Sequence, residues 1–123
     1  MSIPSAQELS KKKCRPCEGN TQPITGEQAK GYLKALTGWR LSQDSNSISK
    51  AYLMKDFMAA VKLINQIAEI AEAEDHHPDL HLTGYRKLSI ELSTHAVKGL
   101  SENDFILASK IELLPKDFRE SSL

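Results

Sequence analysis

Apolar positions recur along the chain with two different periods. Phe57, Val61, Ile64, Ala68 and Ala71 return every three or four residues, which marks one face of an α-helix, and Asp56 stands before them as a capping residue. This predicts a helix over residues 56–74. Leu88, Ile90 and Leu92 instead alternate with Ser89, Glu91 and Ser93, the period-two signature of a half-buried strand. A partner strand is expected over 80–83. Upstream, residues 39–41 and 47–54 read as two strands joined by the polar turn 43–46, a hairpin.

Two further helices are predicted from their capping signals. Thr25 and Gln28 have the capping-box spacing and open a helix over 26–36 with Tyr32, Leu33 and Leu36 facing inward. Ser101 and Asp104 have the same spacing before Phe105, Leu107, Ala108, Ile111 and Leu114, so a last helix is expected to end near Pro115. The order α-β-β-α-β-β-α implies an α+β two-layer sandwich, a four-stranded antiparallel sheet with three helices on one face. Residues 1–23, rich in Ser, Lys, Pro, Gly and Gln, are expected to form a flexible tail, with the domain over 24–118 and a short C-terminal tail over 119–123.

Composition narrows the function classes. The 123 residues carry 16 basic and 16 acidic side chains, so no net charge favours nonspecific contact with nucleic acid. Residues 1–40 are nevertheless basic and 71–123 acidic. No apolar run reaches the roughly 20 residues a membrane helix needs, and no signal-peptide core is visible, so a cytoplasmic protein is expected. Cys14 and Cys17 are too close together to staple a fold. They read as part of the tail, with half a zinc site, a redox pair or an intermolecular role as alternatives.

All four histidines, His76, His77, His81 and His95, fall within twenty residues. Pro78 stops helical continuation, so the pair His76 and His77 sits on the exit of the predicted central helix. Glu72 lies four residues before His76, which would share its face if helical geometry persisted and would orient the imidazole. A surface helix end is the alternative reading. The spacing does not match a zinc-protease helix, and no metal is assigned; imidazoles without a metal suit proton transfer near neutral pH. Asp104 is open to two readings, the third residue of a capping box or a carboxylate of the histidine cluster. Trp39 reads as a core or interface residue, and His81 as an exposed bystander.

Glu72-x3-His76-His77-Pro78, then Ser93-Thr94-His95, then Gly99-Leu100-Ser101-Glu102-x-Asp104, together with Gly38-Trp39 and Lys55-Asp56-Phe57, resemble the pterin-4a-carbinolamine dehydratase family over about residues 25–115. Two departures from its animal members are visible. Leu80 stands where they have an aromatic, and the stretch from Pro78 to Tyr85 is one residue longer. The segment Cys14-Arg15-Pro16-Cys17-Glu18-Gly19 is similar to an extension of bacterial and plant-type members.

The resemblance implies a dehydratase that converts 4a-hydroxytetrahydrobiopterin to quinonoid dihydropterin, recycling the cofactor of an aromatic amino-acid hydroxylase. It needs no cofactor of its own. Carried over residue by residue, His76, His77, His95 and Glu72 form the catalytic set, with Glu72 and Asp104 as the orienting carboxylates. Within it, His76, aided by Glu72, is the acid on the 4a-oxygen, His95 handles the other proton and His77 positions the pterin. Pro78, Thr94, Ala96, Val97 and Asp104 join the three histidines in binding substrate. A homodimer or homotetramer is also implied. The alternative is a non-catalytic binding or assembly module on the same fold, of the dimerisation-cofactor or coactivator type, with no direct contact to nucleic acid or membrane.

Overall fold

A computed structural model of the chain describes residues 5–16 and 22–119. Each capping signal read above is used. Thr25 Oγ1 accepts from the Gln28 N–H at 3.2 Å while Gln28 Oε1 accepts from the Thr25 N–H at 2.9 Å, which starts α2 (Gly26–Leu33). Helix α2 is shorter than predicted, because the chain tightens into turns that deliver Leu36 to the core before Gly38 turns with a φ of 87°. Strands β1 (Arg40–Leu41) and β2 (Ile48–Leu53) form the expected hairpin.

Helix α3 (Phe57–Glu74) begins at Asp56, whose Oδ1 accepts from the Ala59 N–H at 2.8 Å. Its extent matches the prediction, but its orientation is a correction. The buried stripe is Ala60, Leu63, Ile67 and Ala71. Of the predicted stripe only Ala71 is fully buried; Ala68 faces outward and Phe57 is 51% exposed, with neighbouring Met58 at 73%. Both stripes are apolar at helical spacing, so periodicity alone cannot say which one meets the sheet.

Strands β3 (Asp79–Thr83) and β4 (Lys87–Leu92) form the second hairpin. The sheet order is β1-β2-β4-β3, all antiparallel, with Ile48 opposite Leu92 and Tyr52 opposite Leu88. Leu88, Ile90 and Leu92 turn inward into the core shared with the helices, while Lys87 and Glu91 point to the uncovered face. This is the predicted two-layer α+β sandwich. Trp39 is buried, its indole N–H donating to Glu112 Oε1 at 2.9 Å. No helix among the described residues is long and apolar enough to cross a membrane.

The N-terminal segment departs from the expectation of a flexible tail. Ser5 and Glu8 form a capping box on α1 (Ala6–Lys11), and Leu9 is completely buried. A helix of six residues has little stability alone. Here it is held against α4 (Glu102–Glu112) by Leu9 and by Lys110 Nζ donating to the Ser10 carbonyl at 3.0 Å. The pair Cys14 and Cys17 cannot be judged together, since Cys17 lies outside the described residues, as do 120–123 of the predicted C-terminal tail.

Candidate active site

Three chain reversals converge at one end of the sheet. Helix α3 stops because Asp75 takes the left-handed conformation with a φ of 52°, and the Ala71 carbonyl accepts from the N–H groups of both Asp75 and His76. His76, His77 and Pro78 follow on the way into β3. At the end of β4, Thr94 bridges Gly99 around a short 3-10 turn, His95–Val97, and Ser101 then caps α4.

The floor of the site is a chain of hydrogen bonds. Ser101 Oγ accepts from the Asn103 N–H at 3.2 Å and lies 2.8 Å from Thr94 Oγ1, which donates to Asp104 Oδ2 at 2.8 Å. The same carboxylate oxygen accepts from the Ser101 N–H at 3.0 Å. Its other oxygen, Oδ1, lies 2.7 Å from His76 Nε2, with the Asp104 side chain wholly buried and the imidazole 10% exposed. Both readings of Asp104 are therefore realised in one residue: it caps α4 and it holds an imidazole. A carboxylate only accepts, so the shared proton sits on Nε2 and Nδ1 is the nitrogen of His76 not committed to Asp104.

Above this floor is a cleft of about 470 Å³, lined by His76, His77, Pro78, Thr94, His95 and Ala96 from the expected site. Cys14, Arg15 and Pro16 form another part of its lining, with Glu74, Asp75, Asp79, Ser93 and Asn103. The volume suits a small ligand. The side chain of His77 is half exposed, and His95 lies on the exposed side of its turn.

Three expected residues do not line the cleft. Glu72 does not orient His76: the left-handed Asp75 ends the helical register, and Glu72, 80% exposed, has its Oε2 3.5 Å from His77 Nε2 instead. Val97 is buried on the core side of its turn. Asp104 lies beneath His76, so it acts on that ring rather than on a ligand directly. His81 is exposed on edge strand β3, away from the cluster. Among the described residues, no group of three or more His, Cys, Asp or Glu side chains is arranged to hold a metal ion.

Sequence reasoning missed the contribution of residues 14–16 and of Asn103. The Ser5-x-x-Glu8 box was a usable sign that the N-terminal segment folds back; nothing in the sequence marked which elements it meets.

The fold and this cleft have known counterparts. The family model described as pterin 4 alpha carbinolamine dehydratase matches residues 22–114. A mitochondrial pterin-4-alpha-carbinolamine dehydratase 2 of Arabidopsis thaliana is 42% identical over 113 residues, covering 89% of this chain and 60% of that protein. A Nitrosomonas eutropha protein given the same dehydratase name provisionally is 42% identical over 108 residues, covering 87% of this chain and 93% of its own. A crystal structure described as a transcriptional coactivator/pterin dehydratase from Brucella melitensis superposes with a TM-score of 0.69 at 31% identity, covering 74% of this chain and 96% of that one.

Proposed function

The chain belongs to the pterin-4a-carbinolamine dehydratase family, and on that footing we propose that it removes water from a 4a-hydroxytetrahydropterin by proton transfer between imidazoles. The observation that carries this reading is the Asp104–His76 pair at the base of a cleft that also holds His77 and His95. In the reaction the C4a–O bond breaks, the N5 proton leaves, and the electron pair of that N–H bond closes the C4a=N5 double bond. The hydroxyl departs as water once it is protonated. No electron is gained or lost.

His76 is the acid. With Nε2–H held by Asp104, the imidazolium form of His76 carries its second proton on Nδ1 and delivers it to the departing oxygen. Asp104 thus takes the orienting part that the spacing had given to Glu72. His95 takes the N5 proton from the other side of the cleft, and His77 with Pro78 positions the flat ring. Two positioned proton-transfer groups supply roughly 10²–10⁴-fold each.

The biological setting follows the same reading: recycling of a tetrahydrobiopterin-type cofactor for an aromatic amino-acid hydroxylase, in the cytoplasm. Homo-oligomerisation, as a dimer or tetramer, is supported by the outward Phe57 and Met58 of α3 and by the exposed edges of the sheet. Incubating metal-stripped protein with a freshly formed 4a-hydroxytetrahydropterin tests the activity. The rate of quinonoid product formation should rise in proportion to enzyme, and folded protein that leaves the spontaneous rate unchanged refutes the proposal.

A further inference from the structure

Asn103 is the second residue of α4, directly before Asp104, and its side chain is spent on the N-terminal segment. Its Oδ1 accepts from the Arg15 N–H at 2.9 Å and its Nδ2 donates to the Arg15 carbonyl at 2.6 Å. One amide therefore pairs with both main-chain groups of a single residue, as a neighbouring strand would. The Asn103 carbonyl also receives the Cys14 thiol at 3.6 Å. From the other side, the Cys14 N–H donates to Glu74 Oε1 at 3.3 Å, and the same oxygen lies 3.5 Å from Lys110 Nζ. Both anchors are well removed from solvent, Asn103 being 8% exposed and the Glu74 side chain 9%.

The location of the anchors gives the segment a role. Glu74 lies two residues before His76 on the chain, and Asn103 one residue before Asp104, so the strap is tied to the two helix ends that produce the His76–Asp104 pair. Lys12, in a 3.0 Å ion pair with Glu102, and buried Leu9 hold it further back. Cys14, Arg15 and Pro16 face the same cleft as His76, His77 and His95. The strap itself, residues 9–16, lies before residue 22, where the match to the family model begins, while both anchors lie within it.

We infer that residues 14–16 form a substrate-positioning wall of the reaction cleft and that Asn103 and Glu74 are the residues that hold it in place. The inference deepens the dehydratase reading and rests on its assignment of the cleft to a reduced pterin. A flat bicyclic ring confined on one more side loses less productive orientation to tumbling within the cleft. The wall takes no part in the proton transfers assigned to His76 and His95, so its contribution lies in binding. The chemistry at His76 is left to Asp104.

The test uses full-length Asn103→Ala and Glu74→Ala, two variants that release the same segment from different helices. Amide hydrogen exchange at Cys14 and Arg15 reports whether the wall is freed. Equilibrium titration with 7,8-dihydrobiopterin reports binding, and dehydration kinetics separate KM from kcat. The expected result is faster exchange, with Kd and KM raised about tenfold, kcat lowered by less than about threefold and the pH profile of kcat unmoved. Faster exchange with unchanged Kd overturns the inference, and so does a loss confined to kcat, which would mean that Asn103 acts through Asp104. If one variant fails to fold, the other still decides. Wild-type protein that binds the pterin without turnover refutes the dehydratase reading while the Kd comparison still judges the wall; wild-type protein that binds no pterin refutes both.

Discussion

Asp104 Oδ1 lies 2.7 Å from His76 Nε2, while the other oxygen of the same carboxylate accepts the backbone N–H of Ser101 and the hydroxyl of Thr94. The helix cap and the orientation of the imidazole are thus one interaction network. Asp104→Asn keeps the shape of the side chain but places an amide among donors. It should lower kcat at least about tenfold and cost about 1–3 kcal/mol of stability, since a buried charged acceptor is lost. Steady-state kinetics alongside urea denaturation measure both effects; full activity in the folded variant would remove Asp104 from the mechanism.

Glu72 gives the opposite expectation. It is 80% exposed and 3.5 Å from an imidazole that is itself half exposed, a contact of little energetic weight in water. Glu72→Gln should leave kcat/KM within about twofold of wild type. A loss of tenfold or more would restore Glu72 as the partner that the spacing first suggested.

The contrast between these two carboxylates shows what the sequence could and could not convey. The limits of α3 were legible, because Asp56 caps it locally and Pro78 prevents its continuation. The strands were equally plain in their alternation. Spacing alone pointed to the wrong partner for His76, since Asp75 leaves the helix in a left-handed turn and cancels the i, i+4 relation to Glu72, whereas the family resemblance had offered Asp104 as a second orienting carboxylate. The inward stripe of α3 was ambiguous because apolar residues occupy two adjacent faces. That His76, His77 and His95 share one cleft with Asp104 beneath it was anticipated from motif and spacing, whereas the position of residues 14–16 depends on distant partners in α3 and α4.

That segment is held in part by one apolar side chain, and Leu9→Ala should show it. Leu9 is fully buried in the common core, so truncation should cost about 2–4 kcal/mol, within the usual range for a buried leucine. Chemical denaturation reads the loss. A change below about 0.5 kcal/mol would mean that α1 is not docked in solution.

Glu112 provides a test of stability against pH. Its Oε1 accepts from Trp39 Nε1 at 2.9 Å, from Lys50 Nζ at 2.7 Å and from the Tyr52 hydroxyl. Burial alone would raise its pKa, but these donors outweigh burial and hold the carboxyl below its ordinary range. A lowered folded-state pKa stabilises above the unfolded value, about 4.3, and the contribution disappears as pH falls through the folded value. Glu112→Gln should therefore be less stable than wild type by about 1–3 kcal/mol at neutral pH, with the gap narrowing below about pH 4. Urea titrations of both proteins at pH 7 and pH 3 check this, and an equal gap at the two pH values would contradict it.

The central claim is that imidazoles, held as the structure holds them, carry the dehydration. The most direct measurement is the rate of 4a-hydroxytetrahydropterin dehydration by metal-stripped wild type, His76→Ala and His95→Ala, each shown by circular dichroism to be folded. The account predicts clear acceleration by wild type and a fall in kcat/KM of at least about tenfold in each variant. Folded wild type that does not accelerate the reaction, or variants that match it, would contradict the account.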